Sequence, residues 1–131
     1  MDEKEITINK ICTGRVFSLK KDISIEGLAW NFHPGFKGVA LKHLVCAQDT
    51  DGQFSAHLVR VSAGYEIGEH IHEGKWEMHE VISGSGHCML LDKRLEYQTG
   101  SVAIMPPDIT HQVKAEGEDL YILAKFIPAL L

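Results

Sequence analysis

Residues 64 to 86 read GYEIGEHIHEGKWEMHEVISGSG, and this stretch decides how the rest of the chain is read. His70 and His72 are two apart. On an extended strand that spacing puts both imidazoles on one face. Four residues follow, Gly74 among them, before Glu77 opens EMHEVISG, which is rich in β-formers. Gly84-Ser85 is a two-residue turn signal ahead of another apolar run. The reading is strand, short loop, strand, tight turn, strand, with two imidazoles and one carboxylate aimed at a common point. Such a donor set suits a divalent transition metal and leaves coordination positions open.

A second stretch, GSVAIMPPDITH from Gly100 to His111, supplies a further donor. A short apolar strand over 102–105 runs into Pro106-Pro107, and His111 opens the next strand. One more imidazole from a neighbouring strand completes a shell of three histidines and one glutamate: His70, His72, Glu77 and His111.

These residues resemble the two motifs of the cupin superfamily. The first family motif is Gly, five residues, His-x-His, three or four residues, Glu, six residues, Gly; Gly64, His70, His72, Glu77 and Gly84 fit every spacing. The second is Gly, five residues, Pro-x-Gly, two residues, His, three residues, Asn; Gly100, Pro106 and His111 fit, while Asp108 and Ala115 stand where Gly and Asn are usual. Both departures affect a turn or a flanking position, not a ligand. The resemblance implies an all-β jelly-roll barrel (a double-stranded β-helix) and one divalent metal, whether Fe, Mn, Ni, Co, Cu or Zn, held by His70, His72, Glu77 and His111. It also implies a homodimer, since small cupins often pair sheets or exchange N-terminal strands.

The rest of the chain reads as many short strands with Gly, Asp or Pro between them, and no sustained helical period. Strands are expected over 39–47, 54–61, 87–91, 95–98, 102–105, 111–115 and 120–127. This is the signature of a β-sandwich or barrel. Residues 1–10 are polar and are expected to fray or add an edge strand. Residues 1–131 read as one domain, with N-terminal strands and a loop over 1–37 and the barrel core over 38–127. Trp30, Phe32 and Phe36 surround His33-Pro34-Gly35. They are expected to cover a barrel end or a subunit contact, as is the C-terminal FIPALL.

Composition excludes several classes. Thirteen basic against eighteen acidic residues give a net charge of −5, without a basic cluster, which disfavours a nucleic-acid partner. No run of about 18 apolar residues occurs, so no membrane span is expected. The charged start MDEKEITINK is no secretory signal, so a cytoplasmic location is expected. Cys12, Cys46 and Cys88 are odd in number and widely spaced, as reduced thiols are; Cys46 and Cys88 lie in apolar runs and read as small buried hydrophobes.

Parity sorts the other candidates. With Glu77 pointing inward, His79 and Val81 do too, and Trp76, Met78 and Glu80 point away. His79 then reads as an orienting donor to a ligand, a proton carrier, or a core histidine bonded to a backbone carbonyl; it is the first candidate for catalytic proton transfer. His43 and His57 are expected in strands pairing with the motif region, and parity leaves open whether they face the cavity. Arg60 reads either as a surface charge or, inside the barrel, as a partner for a carboxylate substrate. His87 is expected to be exposed. Two function classes follow: a metal-dependent enzyme on a small oxygen-rich or anionic molecule (an oxidoreductase of the oxygenase type, or an isomerase or cyclase using Lewis-acid chemistry), and a non-catalytic ligand-binding or sensing module.

Overall fold

Alternation builds the architecture. Along Trp76–Ser83 every second side chain, from Glu77 onward, is buried. Val102–Met105 and Leu120–Ile127 repeat the pattern. A period of two buries one face of a strand and leaves the other free. The computed structural model describes residues 2–131. In chain order its elements are α1 (Glu3–Cys12), β1 (Arg15–Phe17), β2 (Asp22–Ser24), β3 (Asn31–Phe32), β4 (Val39–Val45), α2 (Ala47–Thr50), β5 (Ser55–Val61), β6 (Glu66–His70), β7 (Trp76–Ser83), β8 (Ser85–Leu90), β9 (Lys93–Gln98), β10 (Val102–Met105), β11 (His111–Ala115) and β12 (Leu120–Ile127). The fold is all-β, as expected.

Two antiparallel sheets face each other. The larger runs β10-β7-β12-β5-β4-β3 and the smaller β6-β11-β8-β9. Between them lies the main core. The larger sheet contributes Val39, Val59, Val81, Ile122 and Phe126, and the smaller contributes Cys88, Tyr97 and Val113. Burying each large apolar side chain is worth about 1.5–3 kcal/mol. The outer face of the larger sheet is partly covered by the N-terminal segment. There Ile25, Leu44 and Leu58 pack with Ile11, Val16 and Trp30.

Three expectations need correction. Residues 3–12 form a helix, not a frayed or edge segment. Asp2 caps it, its carboxylate accepting from the Glu5 amide at 2.8 Å, and Glu3 and Glu5 sit in the first turn. The strand formers after residue 11 begin only once Gly14 has ended that helix. Second, Gly84-Ser85 does not close a hairpin. β7 pairs with β10 and β12, whereas β8 pairs with β9 and β11, so the chain crosses from one sheet to the other at Gly84. Gly84 has φ +94°, and a Cβ there would collide with the Asp119 carbonyl. Third, β4 and β5 do not pair with the motif strands; β12 lies between β5 and β7. Among the described residues no helix is long and apolar enough to cross a membrane.

Candidate metal centre

Three elements bring the four proposed donors together. His70 ends β6, and His72 follows it in the loop to β7. Glu77 is the second residue of β7, and His111 opens β11 directly opposite His70 in the register. One donor atom from each of His70, His72, Glu77 and His111 lies within 4.8 Å of the other three. His70 and His111 rings are 4.2 Å apart centre to centre. Glu77 and His111 are buried.

The proton inventory shows which atoms are free. His70 Nδ1 sits 2.7 Å from the Gly68 carbonyl, and His111 Nδ1 sits 3.1 Å from the Ile109 carbonyl. A carbonyl oxygen only accepts, so each Nδ1 carries the proton. Each neutral ring therefore presents a lone pair at Nε2. His111 Nε2 faces Glu77 Oε1 at 2.8 Å, and both atoms are buried without a hydrogen-bond partner. His72 Nε2 lies 3.6 Å from the same oxygen. Two acceptors pressed together repel unless a cation, either a proton or a metal ion, stands between them. This orphaned pair, with two further imidazoles beside it, fits a divalent ion.

The charge states agree. Burial alone would raise the Glu77 carboxyl, but His79 and His111 outweigh it and hold the group well below the usual carboxylate range. Burial holds His70 down at about 4, and it lowers His72 as well. These rings stay neutral, the form that binds a metal. Burial also opposes a proton on His111, yet the adjoining Glu77 carboxylate prevails and raises this one imidazole.

Behind Glu77 runs a buried chain. Glu77 Oε2 accepts from His79 Nε2 at 2.8 Å, and His79 Nδ1 lies 2.7 Å from the Tyr97 hydroxyl. In the neutral ring Nδ1 accepts, so Tyr97 donates. The buried Cys88 thiol lies beside the same hydroxyl, and burial pushes both thiol and phenol up, keeping them protonated. The sequence made His79 the first candidate for proton transfer; the structure engages both its nitrogens. Tyr97 and Cys88 were missed as parts of the site. In the sequence Cys88 reads only as a small buried hydrophobe, and no motif singles out Tyr97.

A cavity of about 250 Å³ opens beside three of the donors, His70, His72 and Glu77. Its wall is largely apolar, with Val39, Leu41, Val59, Ile67, Ile122 and Phe126 from both sheets. His33 and Phe36 also line it, their rings 4.7 Å apart. Phe36 reaches the cavity because Gly68 has no side chain; a Cβ there would stand 2.9 Å from the Phe36 ring.

The belonging of the chain follows from this site and from comparison. A family model described as Cupin domain matches residues 57–124, the span holding the His-x-His, the glutamate and the distant histidine. The chain is a cupin. No curated protein matches it. Solved structures do match this cupin at the level of fold. A predicted oxalate decarboxylase from Thermotoga maritima is 23% identical with a TM-score of 0.73, over 79% of this chain and 95% of that one. The polyketide cyclase RemF from Streptomyces resistomycificus is 20% identical with a TM-score of 0.72, over 83% and 80%. An RmlC-like cupin from Shewanella frigidimarina is 18% identical with a TM-score of 0.70, over 87% and 91%.

The remaining candidates fall away from the cavity. Arg60 lies on the outer face, its guanidinium 4.3 Å from the centre of the Trp30 ring, and so offers no counter-charge inside. Phe32 is 77% exposed, so the aromatic trio splits between cavity, outer face and solvent. His57 is buried behind Phe126 and shares a 2.8 Å contact with His43; neither joins the four donors. His87 is not free at the surface but pairs with Glu116 at 2.9 Å.

Proposed function

We propose that this cupin binds one divalent transition metal through His70, His72, Glu77 and His111 and is an enzyme acting on a small oxygen-bearing molecule. The observation that carries this reading is the pair of buried acceptors, Glu77 Oε1 and His111 Nε2, facing each other at 2.8 Å with no hydrogen bond between them. The bound ion supplies either Lewis-acid polarisation of a substrate oxygen or, if redox-active, oxygenase chemistry. The chain's own groups do the rest. His70 and His111 are fixed in the Nδ1–H form by backbone carbonyls. Glu77 is held by His79, which we read as a positioning residue: a proton leaving it would pass between Tyr97 and Glu77. The apolar wall excludes water and packs the body of the substrate.

One observation favours the non-catalytic binding module as a second reading. Among the described residues no Lys, Arg, Ser, Cys or Tyr lines the cavity, so few groups beyond the donors and His79 are placed to move a proton. Loading the metal-free protein with Fe(II), Mn(II), Ni(II) or Zn(II), then following oxygen uptake and turnover over a small-molecule panel, separates the readings. Metal uptake with turnover supports the enzyme. Uptake without turnover in any form supports the binding module, and failure to bind any metal overturns both.

We further propose a homodimer in solution. Val102, Ile104, Trp76 and Ile127 are exposed around the β10 edge of the larger sheet, where a second copy would cover them. Light scattering at several concentrations tests this, and a monomer at all of them refutes it.

A further inference from the structure

The cavity carries information about its ligand beyond the metal donors. Four neutral or singly charged side chains face one point: three imidazoles and the Glu77 carboxylate. A divalent ion there keeps one uncancelled positive charge. Among the described residues no Lys, Arg, Asp or second Glu lines the cavity to change that count. Lys75, whose charge reaches His72, turns its ammonium onto the Ala129 carbonyl at 2.9 Å. The site therefore balances one negative charge on a ligand and opposes two. The wall opposite is hydrocarbon, from Val39, Leu41, Val59, Ile122 and Phe126. It rewards an apolar body and penalises a sugar-like one, whose hydroxyls would be buried without partners.

His33 adds one directional feature. Its Nδ1 accepts two backbone N–H groups of its own loop, from Gly35 at 3.0 Å and Phe36 at 3.1 Å. A nitrogen accepting two donors carries no proton, so the neutral ring bears its hydrogen on Nε2, the edge turned away from that loop. The ring is held in place by Phe36, which in turn packs 6.1 Å from His70. His33 is thus a preoriented N–H donor on a wall that otherwise has few of them.

We propose that the cavity takes a monoanionic oxygen ligand with a hydrocarbon body, a short oxo-carboxylate in chemical class, and that His33 Nε2–H donates to an oxygen of that ligand. The proposal rests on the metal reading above, since the single charge follows from the ion. His33 selects for an acceptor oxygen at a set distance from the charged head. The hydrophobic wall sets the length of the body.

The test uses the full chain loaded with Co(II), whose visible spectrum reports ligand binding without turnover. The probes are straight-chain monocarboxylates of three to eight carbons, each with and without a keto group at position 2, 3, 4 or 5, and dicarboxylates of matched length. Affinity is expected to rise about three- to fourfold per added methylene until the cavity is full. Dicarboxylates are expected at least tenfold weaker than monoanions of equal length. At one keto position the oxo acid is expected to exceed its parent alkanoate by about fivefold or more. His33→Ala abolishes that preference, and His33→Gln, which keeps an N–H, retains part of it; Co(II) affinity stays unchanged in both. Length-independent binding, or dicarboxylates binding as well as monoanions, overturns the ligand class. A keto preference that survives His33→Ala, or none at any position, overturns the role of His33. Absence of a cobalt spectrum is a different failure and refutes the metal site itself.

Discussion

Tyr97→Phe removes one oxygen atom and tests whether the chain behind Glu77 matters to the metal. The residue is 2% exposed, and its hydroxyl lies 2.7 Å from His79 Nδ1. Phenylalanine fills nearly the same volume, so no large cavity opens. Two effects remain. His79 Nδ1 is left buried and unpaired, which costs about 1–3 kcal/mol of folding stability. The imidazole also loses the contact that fixes its tautomer, and its Nε2–H no longer has to point at Glu77 Oε2, 2.8 Å away. Partners that orient ligands in this way change metal affinity by about 10–100-fold when removed, or about 1.4–2.8 kcal/mol. The assay is competition for Zn(II) against a chromophoric chelator, beside urea denaturation of the metal-free protein. The expected result is a loss in both. If stability falls while zinc affinity stays within twofold of the wild type, Tyr97 is only a core residue, and the orienting chain is wrong.

His57 gives a pH prediction away from the metal. Burial, with the neighbouring His43, holds it at about 4, against 6.5 in the unfolded chain, while the Glu77 charge acts weakly the other way. The folded state therefore binds fewer protons, so the His57 contribution is fully present above pH 6.5 and is lost as pH falls towards 4. Between pH 7 and 4.5 this amounts to about 2 kcal/mol. His70 titrates in the same window, so the measurement is the difference between wild type and His57→Asn in urea melts of metal-free protein; equal pH slopes would contradict it. Gly84→Ala is expected to cost about 3 kcal/mol or more, from positive φ and collision with the Asp119 carbonyl; a change under 1 kcal/mol in chemical denaturation would refute the close crossing. Zinc at one hundred times its dissociation constant should stabilise the wild type by about 2.7 kcal/mol and Glu77→Gln by far less at the same concentration. Equal shifts in melting temperature would remove Glu77 from the site.

Legibility differed by element for physical reasons. β7 was readable because alternation of Glu77, His79 and Val81 with outward residues is a local property of an extended chain. The helix over Glu3–Cys12 was not, because its apolar stripe is weak. Its one clear signal, Asp2 three residues before Glu5, is a capping pair that acts only through backbone amides. No motif in the sequence marks His33 as part of the site. Its place on the cavity wall depends on Phe36 lodging over Gly68, thirty-two positions along the chain, and no local pattern encodes that approach. Arg60 was left open between inside and outside, and register decided it: the residue shares parity with Ala40 and Tyr121 on the outward side.

By itself the sequence determined strands of period two, and four donors at spacings that suit one cation. These depend on side-chain identity and on the repeat of a single strand. Only the tertiary structure decided that Tyr97 and Cys88 stand behind Glu77, that no Lys or Arg among the described residues lines the cavity, and that β7 and β8 belong to different sheets. Those facts arise where segments distant along the chain pack together, and the energy that selects such packing is shared by both sheets rather than written in either.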